Sequence, residues 1–138
     1  MVTDQTGTMP RWARNLAERE RHGRPLTVRW MKCGRGCPHG RAFPWRRHIR
    51  IYASGDPRLD KFLLVHELAH IANLSGGHDA GFYRQAIRIA TREGCLRGFL
   101  GWQGRRAKAE YRRMLRCDHR VTNGLDPAIC QTCGRAVA

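Results

Sequence analysis

His66-Glu67-Leu68-Ala69-His70, preceded by the apolar run Phe62-Leu63-Leu64-Val65, is the stretch that decides the fold of this 138-residue chain. Two histidines four residues apart lie on one face of a helix, one turn apart, so both imidazoles can bind one small cation. Glu67 lies beside that face and is placed to hold a metal-bound water rather than to bind the metal. The alternative is a buried helix whose histidines are satisfied by ordinary hydrogen bonds. The motif and its helical context together favour a metal site.

Length and composition set the broad class of the chain. A length of 138 residues suits one modest domain, and 41% hydrophobic residues suffice for a core. No stretch approaches the ~20 apolar residues of a membrane span. The N-terminal segment 1–8 is polar and has no apolar signal core, so we expect an intracellular, cytoplasmic protein. In a reducing compartment the six cysteines indicate metal ligands or free thiols rather than disulfides.

The chain is strongly basic. Its formal net charge is +15, and 23 of its 26 basic residues are arginine. Such a charge attracts polyanions, nucleic acid above all. The arginines are scattered along the whole chain, however, and a G+C-rich genome gives the same composition. Charge alone therefore suggests DNA or RNA as a partner, bound through phosphate contacts, without establishing it.

Periodicity and capping residues predict an α+β fold. Two segments of alternating polarity, Thr27–Lys32 and His48–Ala53, are expected to be strands, antiparallel or side by side, and Cys33–Pro44 is expected to be a loop. Residues 95–104 are expected to be a turn or connector. Helices are expected over 9–22, from Pro57 (capped by Asp56) to about Gly76, from Asp79 to about Glu93, and over Arg105–Arg116.

A catalytic zinc site needs a third protein ligand, and two downstream residues compete for that position. His78 lies eight residues after His70, just past Gly76-Gly77, whereas Glu93 lies at the far end of the following helix. Fifteen residues of helix, roughly 20 Å at 1.5 Å per residue, make the two close to mutually exclusive. We favour His78 because the diglycine can reverse the chain toward the first helix. The alternative is that His78 only packs or caps at a turn.

The H-E-x-x-H stretch, followed by Gly77-His78-Asp79-Ala80-Gly81-Phe82-Tyr83, resembles the core of the SprT-like (Spartan-like) zinc metalloproteases. In that family an H-E-x-x-H helix is followed by a G-H-x-x-x-F turn that supplies the third histidine. The segment Arg41-Ala42-Phe43-Pro44, then a strand, then a helix opened by a proline, also fits. The resemblance covers roughly residues 25–92, and the insertion Cys33–His39 does not match the family. It implies a small zincin-like core.

The activity that the resemblance implies is zinc-dependent hydrolysis of peptide bonds. Zinc held by His66, His70 and His78 lowers the pKa of its water to about 7, and Glu67 then acts as the general base. Tyr83 and Tyr52 are candidates for an additional oxyanion donor, although both also suit packing roles. SprT-like relatives act on DNA-bound proteins, so the implied substrates are proteins associated with nucleic acid.

A second ligand set lies near the C-terminus. C-x-H followed by C-x-x-C-G supplies three thiolates and one imidazole, the ligands of a closed structural zinc site. The segment has too little apolar surface to fold without metal; the alternative is free thiols in a frayed tail. A weaker group, Cys33, Cys37 and His39, suits another metal half-site, a disulfide or a plain loop. The expected structural-zinc ligands are Cys117, His119, Cys130 and Cys133.

These features predict a zincin-like core with a short antiparallel sheet over residues 1–104, and a basic helix with a zinc knuckle over 105–138. Two zinc ions per chain are expected, one catalytic and one structural. The arginines expected to contact nucleic acid are Arg105, Arg106, Arg112, Arg113 and Arg116. Two rival functions stay open. One is a non-enzymatic nucleic-acid-binding protein with structural zinc, against which the intact Glu67 argues. The other is a metal-dependent hydrolase of another substrate, such as an amidase.

Overall fold

The computed structural model describes residues 1–36, 38–74 and 76–116, and the backbone of 128–129 and 136–137. The described residues form an α+β fold with a four-stranded mixed sheet. The strands of this sheet are β1 (Val2–Asp4), β2 (Leu26–Lys32), β3 (His39–Phe43) and β4 (His48–Ala53). The helices are α1 (Arg11–Glu20), α2 (Pro57–Asn73), α3 (Ala80–Arg92), α4 (Leu96–Gln103) and α5 (Arg105–Leu115). A separate antiparallel pair joins β5 (Ala128–Ile129) to β6 (Ala136–Val137).

The four-stranded sheet has the order β1-β2-β4-β3. β2 pairs in parallel with both β1 and β4, and only β3 runs antiparallel to its neighbour β4. The expectation of a purely antiparallel sheet is therefore wrong, as is the expected loop over Cys33–Pro44. The error has a physical cause: β3 contains Gly40 and is followed by Pro44, residues that locally favour a loop, and pairing with β4 overrides that preference. A 3-10 turn at Pro44–Arg46 and Arg47 in the left-handed region (φ 49°) join β3 to β4.

The core lies between one face of the sheet and the helices. Alternate residues of β2 and β4 point toward the helices, and Val28, Ile49 and Ile51 are fully buried there. Helix α2 packs against β3, β4, α1 and α3. Because neighbours surround it on several sides, all four consecutive side chains from Phe62 to Val65 are buried. No helix among the described residues combines the length and apolar character needed to cross a membrane.

Residues 96–103, expected to be a connector, form helix α4 instead. Its glycines suggested a turn, but Gly98 lies against α2, where an added Cβ would come 2.7 Å from Phe62 Cζ, and Phe99 is fully buried. The expected last helix is confirmed as α5. Its Ala107 is fully buried in the main core, and its Met114 packs with Ile87 of α3. The domain boundary at 104/105 stays a prediction.

Candidate metal centre

Helix α2 presents two histidines on one face, as the motif predicts. The helix begins after Asp56, whose side chain accepts a hydrogen bond from the Arg58 backbone N–H, and Pro57 occupies its first turn. The ring centroids of His66 and His70 are 5.1 Å apart. His70 is buried, and the His66 side chain is 15% exposed. Both imidazoles are therefore largely desolvated and close enough to bind one ion.

His78 joins the two helical histidines. Its Nε2 lies 3.1 Å from Nε2 of His66, and one ligand atom from each of the three histidines lies within 4.8 Å of the others. A tetrahedral zinc with Zn–N bonds of about 2.0–2.1 Å holds its nitrogens roughly 3.3 Å apart. The separation of His66 and His78 is close to that value, so the three histidines can hold a metal ion.

The position of His78 is set by the loop between α2 and α3. The chain leaves α2 through Leu74, which takes a left-handed conformation (φ 48°). Across the loop, Asn73 Nδ2 donates to Asp79 Oδ1 at 3.0 Å, and the same oxygen accepts from the Phe82 backbone N–H at 2.8 Å. These bonds close the loop on both sides of His78. Leu74 and the Asp79 cap therefore help to position His78 between α2 and α3, and the expected role of Gly76-Gly77 stays a prediction.

Phe82 packs against all three imidazoles. It is fully buried, and its ring centroid lies 4.4 Å from that of His70, 4.7 Å from His78 and 4.9 Å from His66. This contact gives a physical reason for an aromatic residue four positions after His78. Burial lowers the pKa of His66 to about 4. His66 is therefore neutral near pH 7, as a metal ligand must be.

Gln103 of α4 orients the His66 ring. Its Oε1 lies 2.8 Å from His66 Nδ1. An amide oxygen only accepts, so Nδ1 carries the proton and the lone pair of Nε2 faces His78. Sequence reasoning missed this residue because 95–104 was expected to be a connector. No local pattern identifies it, since the contact spans 37 positions of the chain.

Glu67 lies beside the histidines in a buried position. Its side chain is 6% exposed, and its Oε1 lies 3.9 Å from His66 Nε2. Burial raises its pKa to about 7; a cation on the histidines would oppose that shift. Strand β3 covers it: a Cβ added to Gly40 would lie 2.8 Å from Glu67 Cγ and 3.0 Å from Oε1. The carboxylate is thus placed next to the ligand group and confined by backbone.

The competing ligand Glu93 lies elsewhere. It forms an ion pair with Arg19 of α1, with Nη2 and Oε1 2.5 Å apart. It is not part of the three-histidine group. Of the two tyrosines considered as oxyanion donors, Tyr83 has its ring 6.4 Å from that of His78. Tyr52 instead stacks on His39, on the face of the sheet turned away from α2.

The remaining expected site residues are only partly described. In α5, Arg105, Arg112 and Arg116 are exposed. Arg106 lies over the Tyr83 ring at 5.5 Å, and Arg113 pairs with Glu110 at 3.2 Å. In the weaker group, Cys33 Sγ lies 2.7 Å from the Gly36 backbone oxygen and His39 stacks on Tyr52. The other expected ligands lie outside the described residues: Cys37 of that group, and Cys117, His119, Cys130 and Cys133 of the structural zinc.

The residues that suggest the SprT-like family form one constellation. His66, Glu67 and His70 lie on α2, His78 precedes α3, and Phe82 packs against the imidazoles. The likeness concerns these motifs and not the whole chain. Membership of that family stays a prediction, because comparisons with protein-family models, with curated proteins and with solved structures found no match to this chain.

Proposed function

We propose that the chain is a zinc-dependent peptidase of the SprT-like type. The observation that carries the proposal is the three-histidine cluster with a buried carboxylate next to it. Zinc bound by His66, His70 and His78 would supply an acidified water and polarise the scissile carbonyl. As the water oxygen bonds to the carbonyl carbon, Glu67 would accept the proton of the water, and it would return that proton to the amine nitrogen when the C–N bond breaks. The buried position of Glu67, with its Oε1 3.9 Å from His66 Nε2, suits this proton transfer.

The edge strand β3 supports a peptide substrate. β3 pairs only with β4 among the described strands, so its second edge offers backbone N–H and C=O groups. An extended peptide can pair with such an edge. Gly40 of β3 approaches Glu67 closely. A peptide added beside β3 would therefore run past the general base, which favours a peptidase over an amidase of small substrates.

The ligand set argues against a purely structural zinc. Structural sites are closed by four protein ligands, whereas catalytic sites keep one position for water. The group formed by the described residues has three ligands, with Glu67 beside it. A carboxylate confined at that position has no role in a closed site. The second zinc, at Cys117, His119, Cys130 and Cys133, stays part of the proposal.

The substrates we propose are proteins associated with nucleic acid. The net charge of +15 suits a polyanionic partner. On α5, Arg105, Arg112 and Arg116 are exposed and form no ion pair with a described carboxylate, so they are free to contact phosphates. Arg113 is partly neutralised by Glu110.

The deciding experiment compares wild type with Glu67→Gln. Both zinc-loaded proteins are incubated with a basic DNA-binding protein, with and without DNA, and cleavage is followed by mass spectrometry. We expect Glu67→Gln to keep its zinc and its thermal stability and to lose activity by about 10²–10⁴-fold. Equal cleavage by the two proteins would refute the assignment of the base. Absence of cleavage by wild type on any protein substrate would favour the non-enzymatic alternative.

A further inference from the structure

The sheet has a second face that the helices do not cover. Along β2, β3 and β4, residues alternate between the core and this outer face. None of its side chains from these strands belongs to the core cluster. The register aligns them in cross-strand rows. The outer-face residues are Thr27, Arg29 and Met31 of β2, His39, Arg41 and Phe43 of β3, and His48, Arg50 and Tyr52 of β4.

The middle row of the outer face consists of three arginines. Arg29 pairs with Arg50, and Arg50 pairs with Arg41, across strands that lie about 4.8 Å apart. Like charges directly opposite each other destabilise a sheet. None of the three forms an ion pair with a carboxylate among the described residues. The row is therefore a concentrated positive charge that no described carboxylate neutralises through an ion pair.

The pKa of His48 also indicates a positive charge on this face of the sheet. Burial lowers the pKa of His48, and the guanidinium groups of Arg50, Arg29 and Arg46 lower it further. Among the described residues, no carboxylate contributes to the shift. His48 thus senses a positive potential on this face.

Aromatic rings flank the arginine row on both sides. On one side His39 stacks on Tyr52 with ring centroids 4.4 Å apart. On the other side the guanidinium carbons of Arg41 and Arg50 lie 5.1 and 5.0 Å from the centroid of Phe43. These cation–π contacts hold the charged groups against an apolar ring. Cationic groups interleaved with rings match a polymer that alternates phosphates and flat bases.

We propose that the outer face of the sheet is a binding site for single-stranded nucleic acid. The arginine row contacts successive phosphates, and bases stack on the rings beside it. A duplex fits less well, because its bases are already stacked and paired inside the helix. The site is distinct from α5 and does not rest on the proposed peptidase activity. It also places the polymer on the strand whose Gly40 lies against Glu67.

The test measures binding of a labelled oligothymidylate of about 20 nucleotides to the zinc-loaded full chain at several salt concentrations. The sheet variant is Arg29→Gln/Arg41→Gln, which removes two exposed charges. The matched control is Arg58→Gln/Arg97→Gln, which removes two exposed charges from α2 and α4, outside both this sheet face and α5. We expect the sheet variant to flatten the log–log salt slope by about 1.4, which corresponds to roughly 25-fold weaker binding at ~0.1 M salt. The control variant should change the slope by clearly less.

Two outcomes of this comparison overturn the proposal. One is an unchanged salt slope in the sheet variant; the other is an equal loss in both variants, which would indicate a diffuse positive field. A second measurement needs no variant: wild type should bind the oligothymidylate at least about fivefold more tightly than an abasic phosphodiester of equal length. Equal affinity for the two polymers would mean that the rings take no part, and would also overturn the proposal.

Discussion

Replacing Gln103 by leucine tests how the metal centre is held. Gln103 Oε1 accepts a hydrogen bond from His66 Nδ1 at 2.8 Å. Leucine has a similar size but no acceptor. The metal-free protein can respond by moving the His66 proton to Nε2, where His78 Nε2 is 3.1 Å away. The metal-bound protein has no such response, because Nε2 then holds the metal. Loss of this hydrogen bond should therefore destabilise the metal-bound protein more than the metal-free protein, and so weaken zinc binding.

The magnitude follows from the burial of His66. Its side chain is 15% exposed, so an Nδ1–H without an acceptor is poorly hydrated. Leaving a buried donor unsatisfied costs about 1–3 kcal/mol, which corresponds to zinc binding weakened by about 5- to 150-fold. Substitution of residues that hydrogen-bond to metal-ligating histidines usually costs about 10–100-fold in affinity. We therefore expect a loss within that range.

The assay is a zinc titration in competition with a chromophoric chelator. Gln85→Leu is the matched control, because Gln85 is a half-buried glutamine of α3 that forms no hydrogen bond with the described histidines. Gln103→Glu keeps an acceptor and should bind zinc at least as tightly as wild type. A folded Gln103→Leu protein with wild-type zinc affinity would refute the proposed role of Gln103.

Three further predictions concern the general base Glu67, the histidine His66 and the number of zinc ions. Gly40→Ala should lower kcat/KM by about 10–100-fold at unchanged zinc content, because its Cβ would displace Glu67, and a small misplacement is costly; a cleavage assay with zinc analysis tests this. Below pH 6.5 the unfolded chain protonates at His66 while the folded chain, with a pKa of about 4, does not, so this histidine removes about 2 kcal/mol of metal-free stability between pH 7 and 5. Glu67, with its pKa raised to about 7, adds about 2 kcal/mol over the same interval, so in urea unfolding metal-free Glu67→Gln should lose about 2 kcal/mol more stability than metal-free wild type between pH 7 and 5. Finally, elemental analysis should find about two zinc ions per chain, and about one after Cys130→Ser/Cys133→Ser.

Each of these has a clear contrary result. Gly36→Ala is the control for Gly40→Ala, since a Cβ at Gly36 meets nothing within 4 Å; equal activity of the two variants would mean that β3 does not confine the base. An equal loss of stability in metal-free Glu67→Gln and wild type between pH 7 and 5 would mean that the two titrations do not oppose each other. One zinc per chain in fully reduced wild type would remove the structural site.

The sequence predicts the features that depend on residues close together in the chain. Asp56 and Asp79 cap α2 and α3 as expected, and the spacing of His66, His70 and His78 gives the ligand group. Three features depend on distant partners and were wrong or missed. β3 contains a glycine and becomes a strand only because β4 pairs with it. β1 is too short and polar to be recognised without β2. The role of Gln103 needs α4 docked on α2.

The three histidines lie close together in the sequence, whereas the residue that orients His66 lies far from them. His66 and His78 are separated by 12 positions, whereas Gln103 lies 37 positions from His66. Closing a short loop costs little chain entropy, so the ligands can gather as soon as α2 and α3 pair. By the same reasoning, the ion can escape when the loop containing His78 opens, without global unfolding. We therefore expect the rate of zinc exchange to follow the rate at which this loop opens, and that rate to set how long each molecule keeps its zinc.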